Sequence, residues 1–136
     1  MGKKKLDRTI SSGVGGPARL YHFVELASFT EDWAELNLGD DELRALEDEI
    51  ARNPTRAPVV PGGGGVRKLR RPDPLSGKGK SSGYRILYAF LPAQGTILLA
   101  AAWPKSERED LERDDYKAIG QAIARIHTQF DQGRRS

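Results

Sequence analysis

Basic side chains are concentrated in one stretch of the chain, residues 62–91. The stretch holds seven lysines and arginines against a single acid, Asp73. No histidine, cysteine or pair of acids accompanies them. A cationic cluster of this kind attracts polyanions, and the simplest polyanion for a small protein is nucleic acid. The seven basic residues are Arg67, Lys68, Arg70, Arg71, Lys78, Lys80 and Arg85.

A group of cations can do chemistry on RNA, because RNA carries its own nucleophile, the 2′-OH. Cleavage needs one group that takes the 2′-OH proton, one that stabilises the added charge on phosphorus, and one that protonates the leaving 5′ oxygen. The planar fork of an arginine grips two phosphate oxygens. A lysine can take the proton when neighbouring cations lower its pKa. A basic hairpin can also bind phosphates without chemistry, and the residues alone leave both possibilities open.

The elements that position these residues can be predicted from hydrophobic periodicity and turn residues. Strand patterns cover residues 21–26, 66–71, 83–91 and 96–103. Helical patterns cover residues 29–36, a segment that Asp40 opens as N-cap, and a last segment that opens at Asp114 or Asp115. The strand at 96–103 is apolar on both faces, which predicts a central position. The order β-α-α-β-β-β-α predicts an α+β fold, a small antiparallel-rich sheet with helices packed on one face.

Length and composition narrow the class of protein. The 136 residues favour one domain, which we assign to residues 20–136 after a flexible basic tail at 1–19. The net charge is only +3, but residues 31–49 hold nine acids and one base, so the modest total conceals an acidic half and a basic half of the chain. With no cysteine and two histidines we expect no metal and no other cofactor. The longest apolar run, 97–103, is too short to span a membrane, and a cytoplasmic location is expected.

Four segments occur together in an order that resembles a known family. They read ARNP (51–54), PGGGGVRKLR (61–70), GKGKSSGYRILYAFLP (77–92) and ILLAAAWPKSEREDL (97–111). In this combination the chain resembles the RelE/HigB superfamily of bacterial type II toxin–antitoxin systems, and within it the HigB-like branch, over roughly residues 20–127. The resemblance implies a RelE-like fold. It also implies an mRNA interferase, an endoribonuclease that cuts mRNA in the ribosomal A site and so inhibits translation.

The resemblance also implies roles for four basic residues. Arg85 matches the phosphate-stabilising arginine of the family. Lys68 and Arg70 take the place of the paired basic residues that include the proposed general base. Because side chains alternate along a strand, these two share one face. Lys105 matches a basic residue near a second family arginine. The predicted catalytic set is therefore Lys68, Arg70, Arg85 and Lys105.

The chain departs from the family pattern after its last strand. Ser106 stands where the family has its second arginine, and Arg108 follows two residues later. Glu112 falls about where the family has a stacking tyrosine, and Tyr116 or Trp103 could substitute for it. The further predicted contacts with RNA or the ribosome are Arg67, Arg71, Lys78, Lys80, Tyr88, Trp103 and Arg108.

The resemblance implies two kinds of partner. One is the bacterial ribosome with mRNA in its A site, and the other is a co-encoded helix-turn-helix antitoxin of the HigA-like type. Two other functions stay open. A ParE-like toxin on the same fold would poison DNA gyrase by protein contact and would need no nuclease residues. An RNA-binding module would use the same cations without cutting.

Overall fold

The predicted order of elements is present in the structure, a computed structural model that describes residues 20–72, 83–108 and 110–135, except for the side chains of residues 134 and 135. The predicted tail, residues 1–19, lies outside these ranges. No helix in the described part of the chain is both long and apolar enough to cross a membrane. The elements are β1 His22–Glu25, α1 Ala27–Glu35, α2 Asp40–Arg52, β2 Arg67–Arg71, β3 Tyr84–Leu91, a 3-10 turn Pro92–Gln94, β4 Thr96–Pro104 and α3 Arg113–Arg135.

The four strands form one mixed sheet in the order β1-β4-β3-β2. β1 runs parallel to β4, whereas β3 is antiparallel to both β4 and β2. β4 is buried along nearly its whole length, which confirms the central position predicted for it. β2 is the edge strand on the basic side of the sheet, so its residues are accessible from the outside.

Helices cover both faces of this sheet. Side chains of α1 and α2, such as Phe29 and Leu46, pack with Ile86 of β3 in one core. Ile119 of α3 packs with Leu87 of β3 in a second core. Because successive residues of β3 point to opposite faces, the two cores lie on opposite sides of the sheet. The prediction that the helices pack on one face therefore needs correction: α3 lies opposite α1 and α2.

The start of α2 also differs from the prediction by one residue. Gly39 occupies the N-cap, and Glu42 Oε1 accepts a hydrogen bond from its backbone N–H at 2.9 Å. Asp40, predicted as the N-cap, is the first helical residue. There it joins Asp41 and Glu42 in the first turn, where the positive end of the helix dipole stabilises negative charge.

Beyond the end of β1, residues of α1 bond to the backbone of β4 along the same edge. The backbone N–H of Leu26 donates to the carbonyl oxygen of Leu99 at 3.0 Å. One residue on along β4, Ser28 Oγ donates to the carbonyl oxygen of Ala100 at 3.1 Å. The N–H of Ala102 then donates to Asp32 Oδ2 at 3.0 Å. Side chains one turn apart on α1 therefore satisfy backbone groups that a longer β1 would have paired.

Burial raises the pKa of Asp32 above its ordinary value. The hydrogen bond from Ala102 lowers it in part, and the charge of Glu35 raises it further. An acid whose pKa is raised by folding is best tolerated in its protonated form. Its contribution to stability is present below the pKa of the unfolded chain, about 4, and is lost as the pH rises through the higher pKa of the folded protein.

We expect Asp32→Asn and Asp32→Ala to differ in stability and in pH dependence. Asn keeps an oxygen for the Ala102 N–H without a buried charge, so its free energy of unfolding should rise relative to wild type between pH 4 and pH 7. Ala leaves that N–H unsatisfied and should cost about 1–3 kcal/mol at both pH values. Urea denaturation of the three proteins at both pH values measures these differences. A relative stability of the Asn variant that falls with rising pH would contradict the assignment.

Candidate active site

Three of the predicted catalytic residues share one surface, here called the cationic face: Lys68, Arg70 and Arg85. Arg70 of β2 is the direct cross-strand partner of Arg85 on β3. Lys68 is opposite Leu87, two residues further along both strands. Alternation along β2 and β3 places all three on the face of the sheet that α3 also covers. The structure therefore brings these three residues together.

Two arginines of the cationic face, Arg70 and Arg85, lie side by side on adjacent strands. Arg85 is only 5% exposed and also lies opposite Trp103 on the other side of β3, whereas Arg70 is exposed. Like charges directly opposite on a sheet are unfavourable. A phosphate that reaches this pair could accept hydrogen bonds from both guanidinium groups, because each carries several N–H donors. The pair is therefore suited to bind an anion.

Asp110, to which the sequence assigned no role, lies beside the cationic face. Its Oδ2 is 3.8 Å from Lys68 Nζ, and its Oδ1 accepts hydrogen bonds from the Tyr116 hydroxyl and from the N–H of Leu111. Partial burial raises the pKa of Asp110, but these hydrogen bonds and the charge of Lys68 outweigh it and hold the pKa below its ordinary value. Asp110 is therefore a carboxylate at neutral pH. It belongs to the motif at 97–111, but only the fold shows that it reaches β2.

Tyr116, which we considered as a substitute for the stacking tyrosine, is tied to this carboxylate. Burial and the hydrogen bond to Asp110 both raise the pKa of Tyr116. The phenol therefore keeps its proton at neutral pH and is not a base. It fixes Asp110 beside Lys68, since one hydroxyl and one backbone amide hold the same carboxylate oxygen.

The aromatic rings predicted to contact RNA lie in the two cores. Tyr88 is 1% exposed, and its hydroxyl donates to the carbonyl oxygen of Pro54 at 2.7 Å. Trp103 is 3% exposed and donates from Nε1 to the carbonyl oxygen of Arg108 at 3.0 Å. Neither ring offers an exposed face to a base, so their predicted contact with RNA needs correction. The guanidinium of Arg108, 5.8 Å from the centre of the Trp103 ring, covers that ring from outside.

Arg67 and Arg71 point to the other face of the sheet and hold structure together. Arg67 Nη1 donates to the carbonyl oxygens of Thr55 and Ala57 at 2.9 and 2.8 Å. Arg71 donates from Nε to the Tyr84 hydroxyl at 3.0 Å and from Nη1 to the carboxylate of Glu49. Their guanidinium groups are engaged within the protein on the face opposite Arg85, which gives them a structural role, and their contact with RNA stays a prediction.

The other predicted residues lie around the cationic face or beyond the described ranges. Lys105 is exposed just past β4, and its backbone N–H donates to the carbonyl oxygen of Gly83 at 2.9 Å, next to the start of β3. Lys78 and Lys80 lie outside the described residues. Across the ranges 20–72, 83–108 and 110–133, no group of three or more His, Cys, Asp or Glu could hold a metal ion.

Comparison with known proteins identifies the fold. The chain is similar to a solved structure of the E. coli toxin RelE, a mutant in the free state, with a TM-score of 0.50 and 18% sequence identity. The fold is RelE-like. The match covers 79% of this chain and 98% of the RelE chain, so nearly all of RelE has a counterpart here. No protein-family model matches the sequence.

The two faces of β2 predict unequal effects on stability for Arg67 and Arg70. Arg67→Met removes both hydrogen bonds to the loop at 54–58 and should lower the free energy of unfolding by about 1–3 kcal/mol. Arg70→Met, on an exposed side chain, should change it by less than about 0.5 kcal/mol. Chemical denaturation measures both variants. Equal destabilisation by the two would contradict the assignment of Arg67 to structure and Arg70 to the site.

Proposed function

We propose that the chain is a metal-independent endoribonuclease, the toxin of a type II toxin–antitoxin module of the HigB-like branch, and that it cuts mRNA on the ribosome. The observation that carries the proposal is the direct cross-strand pair Arg70 and Arg85, with Lys68 on the same face. The RelE-like fold supports it as an analogy of architecture. The cations are of the kind that RNA cleavage through the 2′-OH requires.

The cationic face divides the reaction among its residues. Arg85, held rigidly by burial, stabilises the charge that develops on the scissile phosphate, and exposed Arg70 grips the phosphate from the β2 side. Lys68 or Lys105 takes the proton of the 2′-OH. The 2′ oxygen then bonds to phosphorus while the bond to the 5′ oxygen breaks, and the leaving 5′ oxygen takes a proton from water. The products are a 2′,3′-cyclic phosphate and a 5′-OH.

In the protein without RNA, Lys68 forms an ion pair with Asp110. Its carboxylate stands 3.8 Å from the Lys68 ammonium, where an incoming phosphate would compete for the same charge. At this separation, in contact with water, the ion pair contributes at most about 1 kcal/mol. A phosphate held by two arginines can therefore displace it, so the pair does not stand in the way of the proposed reaction.

The proposed partners follow from the proposed activity as a HigB-like toxin. The substrate is mRNA in the A site of the bacterial ribosome, and the inhibitor is a helix-turn-helix antitoxin of the HigA-like type. An acidic or phosphate-mimicking segment of such an antitoxin would complement the cationic face by charge. We propose a cytoplasmic location, where both partners occur.

A non-catalytic RNA-binding module is the second candidate. The observation that favours it is the region after β4, where Ser106 replaces an arginine and Tyr116 is tied to Asp110. Tight, salt-sensitive binding to RNA without scission would support that reading. Inhibition of DNA supercoiling by the chain, without RNA cleavage, would instead support a ParE-like toxin.

We expect Arg85→Ala to lower the rate of cleavage of ribosome-bound mRNA by at least about a hundredfold, because the developing charge on phosphorus loses its closest cation. Primer extension on translating ribosomes locates the cut, and a 2′-deoxy nucleotide at the cut site should block it. Arg44→Ala, on the exposed side of α2, removes the same charge far from the cationic face and should cut normally.

Arg85 is buried, so folding of its variant must be measured by circular dichroism. Arg70→Ala provides a second test on an exposed residue and should slow cleavage in a folded protein. If Arg85→Ala cuts as fast as wild type, the central assignment is refuted.

A further inference from the structure

Four of the five backbone carbonyl groups in the loop at residues 54–58 accept hydrogen bonds from residues of the sheet. The Tyr88 hydroxyl and the Arg67 guanidinium, both from the sheet, supply three of the four hydrogen bonds, and the backbone N–H of Lys68 supplies the fourth. The four acceptors are the carbonyl oxygens of Pro54 (2.7 Å), Thr55 (2.9 Å), Ala57 (2.8 Å) and Pro58 (3.0 Å).

Arg56 is the one residue of this loop whose carbonyl accepts none of these hydrogen bonds. Its backbone N–H donates to the carbonyl oxygen of Asn53 at 3.1 Å, and its neighbour Ala57 is buried. Its own side chain is exposed, and no described residue forms a hydrogen bond or ion pair with it. The hydrogen bonds of the loop therefore fix the backbone of Arg56 beside β2, and its exposed side chain extends from that point.

Arg56 stands at the rim of a cleft of about 360 Å³ along the outer edge of β2, here called the edge cleft. Its cations are Arg56, Lys68 and Arg70, and its apolar wall is formed by Ala57, Pro58 and Leu69. Glu49 is the one acid that lines it, and the carboxylate of Glu49 is bonded to the Arg71 guanidinium. The edge cleft is therefore electropositive, and two of its three cations also belong to the cationic face.

We propose that the edge cleft binds the nucleotide next to the scissile linkage, with Arg56 on its phosphate and the apolar wall against its base. This inference rests on the proposed function, because it extends the path of the same RNA strand from the cationic face across the edge of β2. A positively charged groove with side chains against which the bases pack is the usual way to bind a single strand. In the edge cleft, aliphatic side chains take the place of the aromatic rings that are common in such grooves. Arg56 is a substrate-binding residue in this arrangement and does not touch the reacting atoms.

RNA fits the edge cleft better than an acidic peptide that adds a strand to β2. The N–H of Lys68 is already bonded to Pro58, so an added strand could not pair at that point. Lys68 and Arg70 reach both the edge cleft and the cationic face, so one continuous chain of phosphates can use both.

The test measures binding of a short single-stranded RNA with 2′-O-methyl groups, which cannot be cut through the 2′ oxygen. Fluorescence anisotropy over a range of salt concentrations gives the dissociation constant and its salt dependence. Arg56→Ala should weaken binding about tenfold at low salt. It should also reduce the slope of log K against log salt by about 0.7, the value for one phosphate contact on a single strand. Arg56→Lys should retain most of that slope.

Arg52→Ala is the matched control, because it removes the same charge from an exposed position. Arg52 is the last residue of α2 and does not line the edge cleft. Equal effects of Arg52→Ala and Arg56→Ala would overturn the proposal, as would wild-type protein that does not bind the RNA at low salt. A glutamate-rich peptide that binds more tightly than the RNA, and only with Arg56 present, would also overturn it in favour of a protein partner.

Cleavage of ribosome-bound mRNA separates this inference from the proposed function. Arg56→Ala should raise KM with kcat nearly unchanged, since binding outside the reacting centre is lost. Wild-type protein that cuts mRNA while Arg56→Ala and Arg52→Ala behave alike would refute the edge cleft alone. Wild-type protein that binds RNA through Arg56 but cuts no mRNA would refute the proposed function and leave the edge cleft as an RNA-binding site with no scissile linkage beside it.

Discussion

The register between β2 and β3 is the constraint on which the rest of the structure depends. It sets Arg70 opposite Arg85 and Lys68 opposite Leu87, and by alternation it sends Arg67 and Arg71 to the other face. One short basic strand thus carries the cationic face on one side and anchors for α2 and its loop on the other. A slip by one residue would exchange these roles and bury the wrong charges.

Packing on both sides of the strand pair protects this register. Leu69 packs against the core beneath α1 and α2, while Tyr88 and Arg67 hold the loop at 54–58 against the edge of β2. Gly83, at the start of β3, makes a close approach possible: a Cβ there would lie 2.4 Å from the carbonyl oxygen of Arg71. The end of β2 can therefore lie against the beginning of β3 only because this residue has no side chain.

Local pattern was sufficient for the order of elements, the central place of β4 and the shared face of Lys68 and Arg70. The features that it missed depend on contacts between residues far apart in the chain. The side of the sheet that α3 covers and the reach of Asp110 to Lys68 follow from packing and not from periodicity. Arg56 was overlooked because its environment is created by bonds from Arg67 and Tyr88, which no local window contains.

The way α1 closes the upper part of β4 has a consequence for how the protein behaves among copies of itself. An open strand edge is a template for sheet extension between chains and, in the end, for aggregation. Here Ser28 and Asp32 occupy successive backbone groups of β4, and Pro104 follows, which has no N–H to offer. Two helical side chains and a proline thus occupy positions at which the strand of a neighbouring copy would otherwise pair along this part of β4.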